Sequence, residues 1–178
     1  ASVFAPLAFA TGRTGRLFAY EHFGVSPDIM SLAKALGNGL PIGAMLSTEA
    51  LSTAFGPGSH ASTFGGTPLV TAVSKAVLSI LLNDGRLEHC RDMGAHFMAR
   101  LDGLKKRHAC IQQVRGLGLI IGVELDRPGA PVLEACLQKG FLINCAQEKV
   151  LRFVPPLVVT KKEIDQLIEA LDSVLGGV

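Results

Sequence analysis

The sequence feature that most constrains the fold is a stripe of apolar and small residues along one predicted helix. Its members recur at spacings of three and four: Leu87, Cys90, Gly94, Phe97, Leu101 and Leu104. Residues at these spacings share one side of an α-helix, so the stripe predicts a long helix with one buried and one solvent-exposed face. We expect this helix to connect two domains, residues 1–108 and residues 109–178, with the boundary near Arg107 to Ile111.

The segments on both sides of this helix predict an α/β chain. Before it we expect a short buried strand over 42–47, a short helix over 49–56, and an interior helix over 68–82 that is apolar nearly all round. After it we expect strands over 118–125, 141–145 and 150–154, and a helix over 132–139. Thr160 and Glu163 form a capping box that begins the last helix.

Composition argues against several classes of protein. The chain has 178 residues, of which 48% are hydrophobic, so it can bury a substantial core. The formal net charge of +2 gives no reason to expect a nucleic-acid partner or a membrane surface. The longest apolar stretch, Leu69–Leu82, is shorter than the ~20 residues that span a bilayer. The four cysteines and five histidines have no metal-ligand spacing, so we expect no metal site and free thiols in a reducing cytoplasm.

One lysine is the first candidate for a catalytic residue. Lys34 lies among small and apolar residues in the segment Ser31–Gly43, and the next charged residue downstream is Glu49. If such a lysine is buried, its neutral amine is favoured and can form a Schiff base with an aldehyde. The glycines and Pro41 that follow allow a sharp turn with room for a flat ligand. On this segment alone, a solvated loop lysine is the more ordinary interpretation.

Two further segments carry candidate binding residues. Ser62 and Thr63 precede two glycines and a helix start, where hydroxyl and backbone donors can hold an anion, although a plain capping turn explains the same pattern. Arg152 interrupts an apolar strand, where it either points to solvent or binds a carboxylate through two parallel hydrogen bonds. The glycines of Arg115–Gly122 precede a strand instead of joining a strand to a helix, so they indicate close strand packing and not a dinucleotide loop.

Several of these motifs occur in an order that resembles one enzyme family. The segments are Gly12–Val25, Pro27–Ile29, Ser31–Gly43 and Ser62–Pro68, followed by Leu151–Pro156. Together they resemble the pyridoxal-phosphate-dependent class III aminotransferases, most of all the acetylornithine aminotransferases. The resemblance implies the C-terminal part of a fold-type I transferase: part of the large cofactor-binding domain followed by the small α+β domain.

The resemblance also implies roles for individual residues. Lys34 matches the lysine that carries pyridoxal phosphate. Thr63 matches a residue that binds the cofactor phosphate from the partner subunit of a homodimer, and Ser62 matches one that lies against the substrate. Arg152 matches the arginine that binds the substrate α-carboxylate. The implied reaction moves an amino group from N-acetylornithine, or a related ω-amino acid, to the 2-oxo acid 2-oxoglutarate, within arginine biosynthesis.

One position departs from the family pattern. An aspartate that pairs with the pyridinium nitrogen is expected at Ala5, and residues 5–8 contain no acid. The family's N-terminal half also has no counterpart here. We therefore expect a C-terminal portion that does not catalyse turnover alone. The alternative is a non-catalytic α/β fragment that acts only through self-association or partner binding.

Overall fold

The computed structural model describes the backbone of residues 3–4 and all of residues 11–177. The chain forms two compact units, of which the first ends at Leu87 and the second begins at Glu88. Both units combine helices with a sheet, which confirms the predicted α/β class. No helix within residues 11–177 is long and apolar enough to cross a bilayer. No group of three or more His, Cys, Asp or Glu side chains in that range could hold a metal ion.

The first unit contains a three-stranded sheet in the order β1-β2-β3. Its elements are β1 (Val3–Phe4), β2 (Ile29–Leu32), β3 (Ala44–Ser47), α1 (Glu49–Ser52) and α2 (Pro68–Asn83). Strand β2 pairs parallel with β1 and antiparallel with β3. Two short 3-10 helices, Ala19–His22 and Lys34–Leu36, complete the unit.

Few side chains of the first unit are buried. Met30, Leu32 and Leu36 form its small core, against which Leu78 of α2 packs. The predicted burial of the 42–47 strand is wrong, because the strand begins at Ala44 and its central side chains are about half exposed. The helix predicted over 49–56 is confirmed only as the short α1.

Helix α2 forms where the pattern predicts it, but the prediction that it is interior is wrong. Thr67 and Pro68 begin the helix, as N-cap and first helical residue. Only Val70, Ser74 and Leu81 of this helix are buried. Its exposed apolar side chains include Leu69, Ile80 and Leu82, because the small core of the first unit covers only part of the helix.

The second unit contains a four-stranded antiparallel sheet in the order β4-β5-β7-β6. Its elements are α3 (Arg86–Arg107), β4 (Ile111–Leu117), β5 (Ile120–Leu125), α4 (Ala130–Gln138), β6 (Asn144–Ala146), β7 (Val150–Phe153) and α5 (Lys161–Gly177). The strand predicted over 118–125 is the second arm of a hairpin. Gly118 adopts a positive φ of 53° at the turn between β4 and β5.

The apolar stripe on α3 faces the core of this second unit. Phe97, Leu101 and Leu104 are at most 1% exposed, and the rings of Phe97 and Phe153 on β7 contact each other edge to face, with 5.3 Å between their centroids. The buried stripe of helix α3 therefore packs within the second unit. The structure divides the chain at Leu87, about one helix length before the boundary predicted after His108.

Polar contacts join α3 to α5. His96 Nε2 and Arg100 Nε both lie 2.9 Å from a carboxylate oxygen of Asp165, and His108 Nε2 lies 2.6 Å from Asp172 Oδ1. These contacts hold the two helices in one register.

The capping box predicted at the start of α5 is confirmed. The Thr160 backbone N–H donates to Glu163 Oε2 at 2.8 Å, and the Glu163 N–H donates to Thr160 Oγ1 at 3.3 Å. These hydrogen bonds satisfy backbone donors that the first turn of α5 leaves without intrahelical partners.

Candidate active site

Lys34 begins a single 3-10 turn directly after strand β2. Its backbone has a positive φ of 54°, which is uncommon for a residue with a side chain. Leu36 of the same turn is buried in the small core, and the turn packs beside α2. A buried leucine therefore holds the turn while the lysine adopts a strained backbone. Strain of this kind costs on the order of 1–3 kcal/mol and is found at functional sites.

The position after the turn must be glycine for a steric reason. A Cβ on Gly37 would lie 2.1 Å from the carbonyl oxygen of Leu40, so a larger residue does not fit. The Gly37 N–H donates to the carbonyl of Lys34 at 3.1 Å, and the Leu40 N–H donates to the carbonyl of Gly37 at 3.0 Å. Two successive tight turns thus fix the backbone that carries Lys34 and the groove beside it.

The groove beside Lys34 is open. It has a volume of about 390 Å³ and is lined by Lys34, Gly39, Leu40, Pro41 and Ile42. The Lys34 side chain is exposed, so the dry surroundings that would favour its neutral amine are not provided within the first unit. The groove nonetheless offers one primary amine next to glycine, proline and aliphatic side chains.

Ser62 and Thr63 lie in an exposed loop of the same unit. The Ser62 hydroxyl oxygen accepts a hydrogen bond from the Gly65 N–H at 2.9 Å, so it supports the turn that leads into α2. Thr63 is exposed, and neither residue lines the groove beside Lys34. The local geometry therefore matches the capping turn for Ser62, and the phosphate role of Thr63 stays a prediction.

Arg152 lies in the middle of β7, in the second unit. Leu151 and Phe153 on either side of it face the core, so Arg152 projects from the opposite face of the sheet. The side chain is half-buried, and its Nε is buried without a hydrogen-bond partner among the described residues. A buried guanidinium nitrogen without an acceptor carries a desolvation cost that a bound carboxylate would remove.

Arg152 lines two cavities of the second unit. One, of about 260 Å³, is shared with Asn144 and Pro156, and the other, of about 420 Å³, is shared with Arg115 and Gly122. In the sequence, Arg115 and Gly122 stand out only as parts of a glycine motif. Their place beside Arg152 follows only from the pairing of β4 with β5 and of β5 with β7.

The structure thus places the four predicted residues in two units. Lys34, Ser62 and Thr63 belong to the first unit, with only Lys34 at its groove, and Arg152 belongs to the second. The Lys34 amine at the groove fits a cofactor that bears an aldehyde, and no residue of the groove lining offers a hydroxyl to a phosphate. The lining of the groove contains no acid that could pair with a ring nitrogen. The expected aspartate position, Ala5, lies outside the described residues.

Comparison with known proteins matches one family over most of the chain. The family model for aminotransferase class-III matches residues 8–175. An acetylornithine aminotransferase of Caldanaerobacter subterraneus is 51% identical over 94% of this chain. Another acetylornithine aminotransferase, of Methanocaldococcus jannaschii, is 46% identical over 97% of it. The chain spans only 42% and 43% of the length of these two relatives.

A solved structure extends the match to three dimensions. The ornithine aminotransferase of Toxoplasma gondii has a TM-score of 0.91 and 31% identity to this chain, with 99% of the chain and 42% of that structure covered. That protein shows partial occupancy of PLP at its active site.

Proposed function

Because the chain belongs to the class-III aminotransferases, we propose that it is the part of such an enzyme that carries the cofactor lysine. The structural match also confirms the predicted fold, a portion of a fold-type I transferase. The observation that carries the proposal is Lys34, an exposed amine on a strained turn beside a groove. Lys34 lies within the matched residues 8–175, which supports a role as the residue that binds pyridoxal phosphate.

In this proposal each residue has one task. Bound pyridoxal phosphate supplies a ring that accepts electrons from the substrate carbon. Lys34 would hold the cofactor through its amine, and as general base and acid it would move a proton to and from the substrate carbon. Arg152 binds the substrate α-carboxylate through its guanidinium fork. Thr63 binds the cofactor phosphate from the partner subunit, and Ser62 lies against the substrate.

The names of the relatives support a substrate class. Acetylornithine aminotransferases are 41–51% identical to this chain, and ornithine aminotransferases are among its structural neighbours. We propose that the amino donor is N-acetylornithine or a related ω-amino acid and that the acceptor is 2-oxoglutarate. The reaction would belong to arginine biosynthesis, in a cytoplasmic homodimer. Ornithine, succinylornithine, 4-aminobutyrate and donors of the diaminopimelate pathway are the alternative donors.

The 178-residue chain by itself is proposed to be inactive. Two observations support this. The first acidic residue in the sequence is Glu21, so the position expected to pair with the pyridinium nitrogen has no carboxylate. Lys34 is also exposed in its own unit, and water competes with a substrate there.

A second candidate function is self-association. Strand β3 and helix α2 expose Met45, Leu46, Leu69, Ile80 and Leu82, each between 46% and 67% exposed. Exposed apolar side chains in such number favour burial against another surface. A second copy of the chain offers the same surface. Sedimentation equilibrium would show a concentration-dependent dimer, and Ile80→Glu should shift it to monomer.

The decisive experiment is covalent trapping of the cofactor. The purified chain is mixed with pyridoxal phosphate, reduced with borohydride and digested, and the labelled lysines are quantified by mass spectrometry. We expect Lys34 to carry more label than Lys75, an exposed lysine on α2 of the same unit. Lys34→Ala should abolish the visible absorbance band, and Lys75→Ala should leave it unchanged.

Two outcomes contradict the proposal. Labelling of Lys34 no greater than that of Lys75 would show that the groove has no preference for the cofactor. Transamination by the 178-residue chain, measured with N-acetylornithine and 2-oxoglutarate, would contradict the proposed inactivity.

A further inference from the structure

One amide lies directly beside Arg152 in the sheet of the second unit. Asn144, on the edge strand β6, pairs in register with Arg152 on β7. Residues paired in register project from the same face of a sheet, and in an antiparallel pair their Cβ atoms are about 4.5–5.5 Å apart. Cys145, the next residue of β6, packs against the core, which leaves Asn144 on the outer face together with Arg152.

Both side chains line the cavity of about 260 Å³. All the other side chains described around this cavity are apolar, and none of them is an acid. Asn144 is therefore the one side chain of this lining that can offer a hydrogen-bond acceptor to the Arg152 guanidinium.

Arg152 has an unused donor next to this amide. Its Nε is buried without a hydrogen-bond partner among the described residues. A buried donor that loses its water and gains no acceptor is destabilising. The Asn144 side chain is exposed, so its amide can rotate and place the oxygen on the Arg152 Nε–H.

A neutral acceptor suits this position better than a charged or an apolar side chain. A carboxylate here would form an ion pair with Arg152 and compete with an anionic ligand. An apolar side chain would leave the guanidinium without a fixed direction. An amide oxygen on Nε fixes the guanidinium plane and leaves both Nη groups for two parallel hydrogen bonds to a ligand carboxylate.

We propose that Asn144 is a positioning residue for Arg152. Its amide oxygen accepts the hydrogen bond from the Arg152 Nε–H and directs the two Nη groups into the cavity. The inference rests on the proposed function, in which Arg152 binds a substrate carboxylate, and it adds the residue that orients the guanidinium for that contact. Asn144 acts through Arg152 and does not itself contact the substrate.

The first measurement needs no ligand. The chain is labelled with ¹⁵N-arginine, and the Arg152 Nε–H signal is identified by its loss in Arg152→Lys. We expect Asn144→Ala to shift this signal and to speed its hydrogen exchange about fivefold, the effect of one neutral hydrogen bond. Because Asn144 is exposed, the urea midpoint should equal that of the parent chain. A merely structural role would move the midpoint and leave the signal in place.

The second measurement separates orientation from binding. The probe is 2-oxoglutarate, titrated into the parent chain and its variants. Asn144→Ala should weaken binding about fivefold. Asn144→Asp keeps an oxygen acceptor for Nε and adds a charge, so it should keep the Nε–H protected and yet weaken binding more than about tenfold.

Gln113→Ala is the matched control. Gln113 is also an exposed amide beside an arginine, since its Oε1 accepts a hydrogen bond from Arg115 Nη1 at 2.8 Å, but it does not line the cavity that contains Arg152. This variant should leave both the Arg152 signal and 2-oxoglutarate binding unchanged.

Each result supports or overturns one of the two proposals. An Arg152 signal that is the same in Asn144→Ala as in the parent chain overturns the positioning role. Binding of 2-oxoglutarate by Asn144→Asp that equals binding by the parent chain also overturns it. If Asn144→Ala changes the signal but 2-oxoglutarate does not shift it in the parent chain, Asn144 orients Arg152 and the proposed carboxylate role of Arg152 falls. If the signal responds to both and Lys34 is not labelled by pyridoxal phosphate, the positioning role stands and the transaminase role falls.

Discussion

Replacing Gly94 of α3 by alanine should strongly destabilise the second unit. A Cβ at this position would lie 2.4 Å from the carbonyl oxygen of Gly118 and 2.7 Å from its Cα. These atoms are backbone atoms of the β4–β5 turn, so no side-chain rotation relieves the overlap. The helix must instead move away from the hairpin, which separates side chains that are now in contact.

The magnitude follows from two opposing effects. Overpacking in a filled core costs about 1–3 kcal/mol, and three backbone atoms closer than 3.0 Å place this case at the upper end. Alanine gains about 1 kcal/mol over glycine from helix propensity. We therefore expect a net loss of about 2 kcal/mol, which lowers the melting temperature of a unit of this size by about 10 °C.

Gly103 of the same helix provides the matched control. A Cβ there meets no atom within 4 Å, so Gly103→Ala should gain the propensity contribution alone, about 1 kcal/mol. The difference between the two variants isolates the steric cost. Urea unfolding followed by circular dichroism measures both, and hydrogen exchange of the β5 amides assigns the transition to the second unit. If Gly94→Ala stabilises the chain as Gly103→Ala does, the close approach to Gly118 is refuted.

Three further predictions concern single side chains. Thr160→Ala should cost about 1 kcal/mol of unfolding free energy because the N-cap of α5 is lost, whereas Thr160→Ser should melt like the parent chain. The hydrogen bond from His108 holds the pKa of Asp172 below its ordinary value. Its stabilising contribution is therefore present above the unfolded pKa and is lost as pH falls through the folded pKa. Asp172→Asn should lower the urea midpoint at pH 7 and reduce its decline below about pH 4, and an unchanged acid profile would contradict this. Burial raises the pKa of the Cys136 thiol, so iodoacetamide at pH 8 should alkylate Cys136 only in denaturant, and rapid labelling of the native chain would contradict this.

Local patterns predicted the helices of the second unit well because their apolar faces meet within the same unit. The stripe on α3 and the capping box of α5 are confirmed for this reason. The sequence pattern predicted one strand over 118–125, where the structure has a hairpin of two strands, β4 and β5. Its turn occupies only Gly118 and Leu119, and a glycine within an apolar run indicates either a bulge or a turn.

The sequence predicted which residues belong to the candidate site, but it did not predict their backbone conformation, exposure or partners. The isolated lysine followed by glycines indicated Lys34, but neither its left-handed backbone nor its exposure is encoded in the spacing of residues. Arg152 could have faced solvent or a ligand, and the register of β7 leaves it half-buried with an unsatisfied Nε. That Arg115 and Arg152 are both in register with Gly122 depends on strand pairing over 37 positions of sequence, which no local pattern reports.

The incorrect burial predictions for α2 and β3 have a common physical cause. An apolar pattern records which face of an element is suited to contact apolar atoms, whether or not those atoms belong to the same chain. Along α3 and α5 of the second unit this pattern and the observed burial agree, and along α2 of the first unit they disagree at Leu69, Ile80 and Leu82. The chain also spans only 42–43% of the length of its relatives. Together these observations support a first unit whose apolar faces are matched to further protein surface.

A polar substitution such as Ile80→Glu should therefore cost the isolated chain little unfolding free energy, whereas Phe97→Ala in the second unit should cost about 3–5 kcal/mol. Equal costs at the two positions, measured by urea unfolding, would contradict this account.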